Sequence, residues 1–177
     1  SAEELGREFS VSLPGSSEGA EWTLGIANEQ RSFGDYGPEV IADGTGRIVE
    51  YREETGRRQF DRPNISGSYS RQSDSGNTFN IVGELNGFYS DEQEVSDRGS
   101  GTPAANTRQF KRSEDEYNYE LGADYEIALG AGQLKLVALH RFEHSPTLNR
   151  VDTLFADGRS EGSLFDRIAD EAESILR

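Results

Sequence analysis

A chain of 177 residues with a formal net charge of −15, 33% hydrophobic residues and 20 glycines carries too little apolar side chain for an ordinary two-sided core. The acidic balance argues against nucleic acid as a partner, because phosphate contacts need clustered Lys and Arg. The absence of cysteine excludes disulfides and thiolate chemistry.

Seven Tyr, nine Phe and one Trp fall in patterned runs, which a disordered acidic tail would not need. No apolar stretch approaches the ~20 residues of a membrane helix. A sheet with one apolar and one wet face fits both facts. The chain starts at Ser1 with no initiator Met and no signal segment, and is expected to be a piece of a longer precursor.

The first alternation, in a strand expected over about 5–13, puts Phe9, Val11 and Leu13 on one side. Pro14-Gly15-Ser16-Ser17-Glu18-Gly19 reads as a turn, and Trp22, Leu24 and Ile26 alternate after it with Glu21, Thr23 and Gly25. Together they predict a hairpin over about 4–30. The polar stretch from about 30 to 60 reads as a long loop. It holds its own small hairpin signal, Val40-Ile41 and Ile48-Val49 around Asp43-Gly44-Thr45-Gly46.

A second hairpin is expected over about 62–89. Its weaker first strand presents Ile65, Gly67 and Tyr69, and Ser73-Asp74-Ser75-Gly76-Asn77 makes the turn. Its second strand puts Phe79, Ile81, Gly83, Leu85, Gly87 and Tyr89 on one face, against Asn80, Val82, Glu84, Asn86 and Phe88. Another long polar loop is expected from about 90 to 115.

The clearest strand runs from Tyr117 to Leu129. Tyr117, Tyr119, Leu121, Ala123, Tyr125, Ile127 and Leu129 alternate strictly with polar or small residues, a period of two that a helix would scatter around its surface. Gly130-Ala131-Gly132 supplies a tight turn. The return strand carries Leu134, Leu136, Ala138, His140 and Phe142 on one face, with Val137 and Leu139 as apolar exceptions on the other. This third hairpin spans about 116–144. A last loop is expected over about 145–172, and Glu173-Ser174-Ile175-Leu176-Arg177 reads as the stub of a seventh strand.

The expected fold is all-β: an antiparallel up-and-down meander of about six strands plus a stub, forming part of a transmembrane β-barrel. Short turns alternating with long polar segments are the rule in outer-membrane barrels and rare in compact soluble domains. The best strands reach the ~9–11 residues of a tilted membrane span. Six strands fall short of the smallest common barrels and leave two open edges, so an internal piece of a larger barrel is expected. The residues expected to face lipid are Phe9, Val11, Leu13, Trp22, Leu24, Ile26, Phe79, Ile81, Leu85, Leu121, Ile127, Leu134 and Leu136.

Several polar groups invite a sharper reading. His140 and His144, the only histidines, share strand parity, but no further ligand is spaced to complete a metal site, and an interfacial role is expected. Glu120, Asp124 and Glu126 share a face like an acid/base set. Regular spacing without a nucleophile or pocket reads instead as a wet lumen wall, so no catalytic site and no cofactor is expected.

The acidic groups Asp91, Glu92, Glu94, Asp97 and Glu114, Asp115, Glu116 lack calcium-loop spacing and read as solvated loop charges. Arg57, Arg58 and Arg62 suit a rim contact with lipopolysaccharide or plain solubility better than an anion clamp. Loop glycines at Gly44, Gly46 and Gly99 to Gly101 precede no phosphate-binding helix.

From Tyr117 onward the residues resemble TonB-dependent outer-membrane receptors, particularly those of alphaproteobacteria. The stretches that carry the resemblance are Tyr119-Glu-Leu-Gly-Ala-Asp-Tyr125, Leu129-Gly-Ala-Gly-Gln-Leu-Lys-Leu136, Leu139-His-Arg-Phe-Glu-His-Ser145 and Phe165-Asp-Arg-Ile-Ala-Asp-Glu-Ala-Glu-Ser-Ile-Leu-Arg177. The resemblance covers the last third of the chain; the earlier hairpins match only as generic barrel. It implies a 22-stranded barrel plugged by an N-terminal domain, importing a scarce nutrient of the siderophore, vitamin or saccharide class with inner-membrane energy.

The implied partners are outer-membrane lipid and lipopolysaccharide, the remainder of the barrel and its plug, and the TonB system acting through the parent chain. This sequence contains no plug, no TonB-contacting segment and no terminal aromatic strand, so coupling would belong to the parent. The alternatives are another outer-membrane barrel, such as a porin or autotransporter translocator, and a soluble acidic β-sheet binding or adhesion module.

Overall fold

The computed structural model describes residues 2–100 and 105–177, with side chains described from residue 7 onward except that of residue 100. Seven strands follow one another: β1 (Ala2–Ser17), β2 (Ala20–Ala42), β3 (Ile48–Gln72), β4 (Thr78–Ser100), β5 (Asn106–Leu129), β6 (Gly132–Phe155) and β7 (Ser160–Leu176). They form one sheet in sequence order, every neighbouring pair antiparallel. The all-β antiparallel meander expected from the alternation is therefore observed, and none of the described residues is helical. The sheet is open, with β1 and β7 as its edges.

The long polar loops need correction. The segments 30–60, 90–115 and 145–172 are strand over most of their length, and residues 101–104 of the second lie outside the described residues. Strands β2 to β6 run 23 to 25 residues each, more than twice the ~9–11 of a membrane span. The expected stub at 173–177 is the end of β7, a strand of 17 residues. The small hairpin read at residues 40–49 is the tip where β2 turns into β3.

Cross-strand pairing explains why charged segments extend rather than loop. Glu39 lies directly opposite Arg52, and their side chains meet at 3.1 Å. Arg52 also pairs with Glu50, which reaches Arg98 on the next strand at 3.7 Å. Thr107 donates to Asp97 at 2.7 Å, and Arg108 lies 3.8 Å from Glu94. Each such pair contributes only about 0.2–1 kcal/mol, but they repeat along the ladders and leave the backbone hydrogen-bonded.

Three of the turns share one geometry. In 43–47, 73–77 and 155–159 the first residue's carbonyl accepts from the amide of a glycine three positions on, and its own amide donates to the carbonyl of the fifth residue. Gly46, Gly76 and Gly158 have φ of 85°, 83° and 85°, the left-handed conformation that closes a three-residue hairpin loop. At the first tip, hydrogen bonds from the Thr45 hydroxyl and amide and from Arg47 hold the Asp43 carboxyl below its ordinary range.

Prolines mark local costs. Pro14 sits on edge strand β1, where a missing N–H is tolerated. Pro63 and Pro146 lie inside the sheet, and each coincides with a gap in one ladder: β3–β4 pairing skips 62–63, and β5–β6 pairing skips 145–146.

Candidate functional site, two faces of one sheet

No second layer covers the sheet among the described residues. Among the described residues only Ala20, Ser90, Ser96 and Gly122 are buried. What the sheet can do is therefore decided by its two faces, and the register assigns them. Residues directly opposite in an antiparallel ladder project to the same side. Val11 faces Ile26, Ile26 faces Ile65, Ile65 faces Leu85, Leu85 faces Tyr119, and Tyr119 faces Phe142.

Following this chain of partners, all thirteen residues expected on one face share it. Leu13 pairs with Leu24, Trp22 with Tyr69, Phe79 with Tyr125, and Ile127 with Leu134, and the remaining members lie two residues along from these. Ten of the thirteen are exposed, from Phe79 at 37% to Val11 at 59%, while Trp22, Ile81 and Ile127 are half-buried by their neighbours. A soluble monomer rarely leaves more than a few hundred Å² of contiguous apolar surface open.

Aromatic rings gather at both ends of this apolar band. Toward the short turns lie Trp22, Tyr69, Phe79 and Tyr125, with the Tyr69 and Phe79 rings 6.4 Å apart. Trp22 lies across Gly15, its direct partner, and occupies the space a Cβ there would need. Toward the long ends of the strands lie Tyr89, Tyr117, Tyr119 and Phe142, with Phe142 at 6.1 Å from Tyr117 and 5.7 Å from Tyr119. From Phe79 to Tyr89 the chain rises about 33 Å along the strand, or about 25 Å along an axis tilted by ~40–45°.

His140 and His144 lie on the same face, at the second aromatic group. The His144 ring packs 5.1 Å from that of Tyr117, and its Nδ1 meets Asp170 at 2.6 Å. His140 meets the Tyr119 hydroxyl at 3.2 Å and the Ser174 hydroxyl at 2.8 Å. The two rings thus use separate partners.

The opposite face is polar and laced by side-chain hydrogen bonds. Asn64, Asn86 and Asn118 stand directly opposite one another on β3, β4 and β5. Asn64 donates to Asn86 at 2.6 Å, Asn86 donates to Asn118 at 3.1 Å, and Asn118 donates to Glu116 at 3.2 Å. A second rung runs from Ser70 through Asn80 to Asp124, which also pairs with Lys135 at 3.3 Å.

Glu120, Asp124 and Glu126 do share this face, and Glu120 stands opposite Glu84 and Arg141 rather than beside a nucleophile. The exceptions Val137 and Leu139 project here too, and Leu139 and Val82 close over the buried Gly122 between them.

The register separates groups that the sequence placed together. Arg57 projects on the apolar side and Arg58 and Arg62 on the polar side, so the three do not form one clamp. Likewise Asp91, Asp97 and Asp115 lie on the apolar side, and Glu92, Glu94, Glu114 and Glu116 on the polar side. These carboxylates are strand residues with cross-strand neighbours, not loop charges.

One feature of the polar face was not anticipated. Phe33, Phe60 and Phe88 form a diagonal row across β2, β3 and β4, with ring centroids 6.0 and 6.1 Å apart. The Arg62 guanidinium lies 4.6 Å from the Phe60 ring and 5.1 Å from that of Phe88, a cation–π layer. Extending the hairpin at 43–47 outward residue by residue, Ile41 against Glu50 down to Phe33 against Arg58, places Phe33 diagonally from Phe60, but the step to Phe88 follows only from the β3–β4 register. Beside the row is a hollow of about 530 Å³ reached by Arg62, Phe88 and the three asparagines.

No family model matches the chain, and no curated protein matches it.

Proposed function

We propose that this sheet is part of the wall of a bacterial outer-membrane β-barrel belonging to a TonB-dependent uptake receptor. The observation that carries the reading is the common face of the thirteen apolar residues, uncovered and bounded by aromatic rings at both ends. In lipid that face is solvated by acyl chains, the rings sit at the interfaces, and the polar face looks into the lumen. The open edges at β1 and β7 then pair with the remainder of the barrel, because an unsatisfied strand edge in hydrocarbon costs several kcal/mol per group.

Receptor function, with import of a siderophore, vitamin or saccharide, rests on the resemblance over the last third of the chain. The strands that continue far past the apolar band supply the tall extracellular wall such receptors use. The partners in this reading are outer-membrane lipid and lipopolysaccharide on the outer face, a plug in the lumen, and the TonB system through the parent chain. A passive pore is the second reading, favoured by the acidic wall of Glu84, Glu120, Asp124 and Glu126.

Topology is testable because the chain contains no cysteine. Gly44→Cys, at a long-hairpin tip with nothing within 4 Å of its Cβ position, is expected to react with a membrane-impermeant maleimide on intact cells. Asp74→Cys, at a short turn, is expected to react only after the outer membrane is opened. Equal labelling of both on intact cells contradicts the orientation. Loss of uptake in cells lacking TonB supports the receptor, and unchanged uptake favours the passive pore.

A further inference from the structure

We infer that the hollow beside Phe88 on the polar face binds an uncharged polyhydroxylated ring, that is, a saccharide; the inference rests on that face lining the lumen, as proposed above. The Phe33–Phe60–Phe88 row ends at the hollow, where Phe88 supplies apolar ring surface of the kind that packs against the C–H face of a sugar ring, shared with the Arg62 guanidinium 5.1 Å from the ring. Beside it stands the Asn64–Asn86–Asn118 ladder. Side-chain amides carry donors and acceptors together, which suits hydroxyl groups, themselves both donor and acceptor. Asn86 and Asn118 each spend one N–H on the ladder, leaving a second.

Charge selects against the other candidates. Three carboxylates, Glu8, Glu29 and Glu116, border the hollow against one guanidinium, Arg62, so an anion is repelled. Arg62 lies 3.7 Å from Glu29, which Arg31 also holds at 2.6 Å, so its charge is answered within the protein. Glu116 accepts from Asn118, and the Ser145 hydroxyl lies 3.5 Å away. A cationic ligand would find Glu29 and Glu116 engaged, leaving Glu8 on edge strand β1, and would meet amide N–H groups at the centre of the ladder. The size, about 530 Å³, lies within the ~300–1,000 Å³ range of small-ligand sites and admits a short oligosaccharide.

The test uses the whole barrel, purified in detergent from outer membranes and applied to an array of neutral oligosaccharides, with choline and 2,3-dihydroxybenzoate as charged ring-free and ring-bearing competitors. Retention of heat-modifiable gel migration reports that the barrel is folded, independently of ligand. Binding of at least one neutral oligosaccharide is expected. Phe88→Ala and Asn86→Leu are each expected to weaken it about ten-fold or more, as loss of a stacking surface or of paired hydrogen bonds should. Phe110→Ala, on the same face but away from the hollow, is expected to leave it unchanged. A folded barrel that binds no arrayed sugar, that prefers either charged competitor, or that binds equally well as Phe88→Ala overturns the inference. A barrel that fails to extract with the outer membrane overturns the membrane reading instead.

Discussion

Produced without lipid or detergent, residues 1–177 will not give a soluble monomer, despite a net charge of −15. The charge is spread over both faces of the outer half of the sheet, whereas the inner half presents an uncovered apolar face with Leu13 and Leu24 more than half exposed. Among the described residues no second layer hides that face, and β1 and β7 are the open edges of the sheet. Edge-to-edge pairing and face-to-face stacking are the remaining ways to remove it from water. Size-exclusion chromatography with circular dichroism in plain buffer is expected to show aggregate or largely unfolded chain. A sharp monomer peak with a cooperative β-sheet melt would mean that the fold closes by itself, and the membrane assignment would fall with it.

The second large effect concerns a single charge placed at the middle of the apolar band. Ala123 stands halfway along the Tyr117–Leu129 alternation, between Ile81 and Ala138 on the neighbouring strands. If the sheet is a barrel wall as proposed, Ala123→Arg is expected to destabilise it in lipid vesicles by about 2–4 kcal/mol, the cost of a guanidinium near the bilayer midplane. Glu120→Arg, three residues away but on the polar face, is expected to cost less than about 1 kcal/mol, because its side chain stays in water. Urea titrations of the two variants in the same vesicles make the comparison. Equal costs would show that neither face meets hydrocarbon.

Much of this was legible in the residues, and the reason is physical. Where one face is apolar, period-two alternation reveals both the strand and its facing, and a short turn carries that parity to the next strand. Thus Tyr117–Leu129 and Leu134–Phe142 could be assigned to one face before any register was known. The outer halves of the strands gave no such signal because both of their faces are charged. Glu39 opposite Arg52, or Asp97 opposite Thr107, becomes a reason for extension only after the pairing is seen.

Pro63 and Pro146 each remove only one local stretch of ladder. Asp157-Gly158 repeats the Ser75-Gly76 pattern and makes the same turn, so the β6–β7 tip is marked in the sequence as the others are. The amide ladder and the phenylalanine row were out of reach for a different reason. Each joins residues some 20 to 30 positions apart, and neither is periodic along any one strand.

The most direct test uses the only tryptophan in the chain. Trp22 lies at the short-turn end of the apolar band, across Gly15 and opposite Tyr69. If that band spans the bilayer, the indole sits at the inner interface, where tryptophan is enriched in membrane proteins. Fluorescence of the barrel in vesicles should then be blue-shifted relative to the urea-unfolded chain. It should be quenched more strongly by lipids labelled near the headgroup than by lipids labelled at the chain ends. Quenching by aqueous acrylamide as in the unfolded chain, with no response to either labelled lipid, would contradict the account.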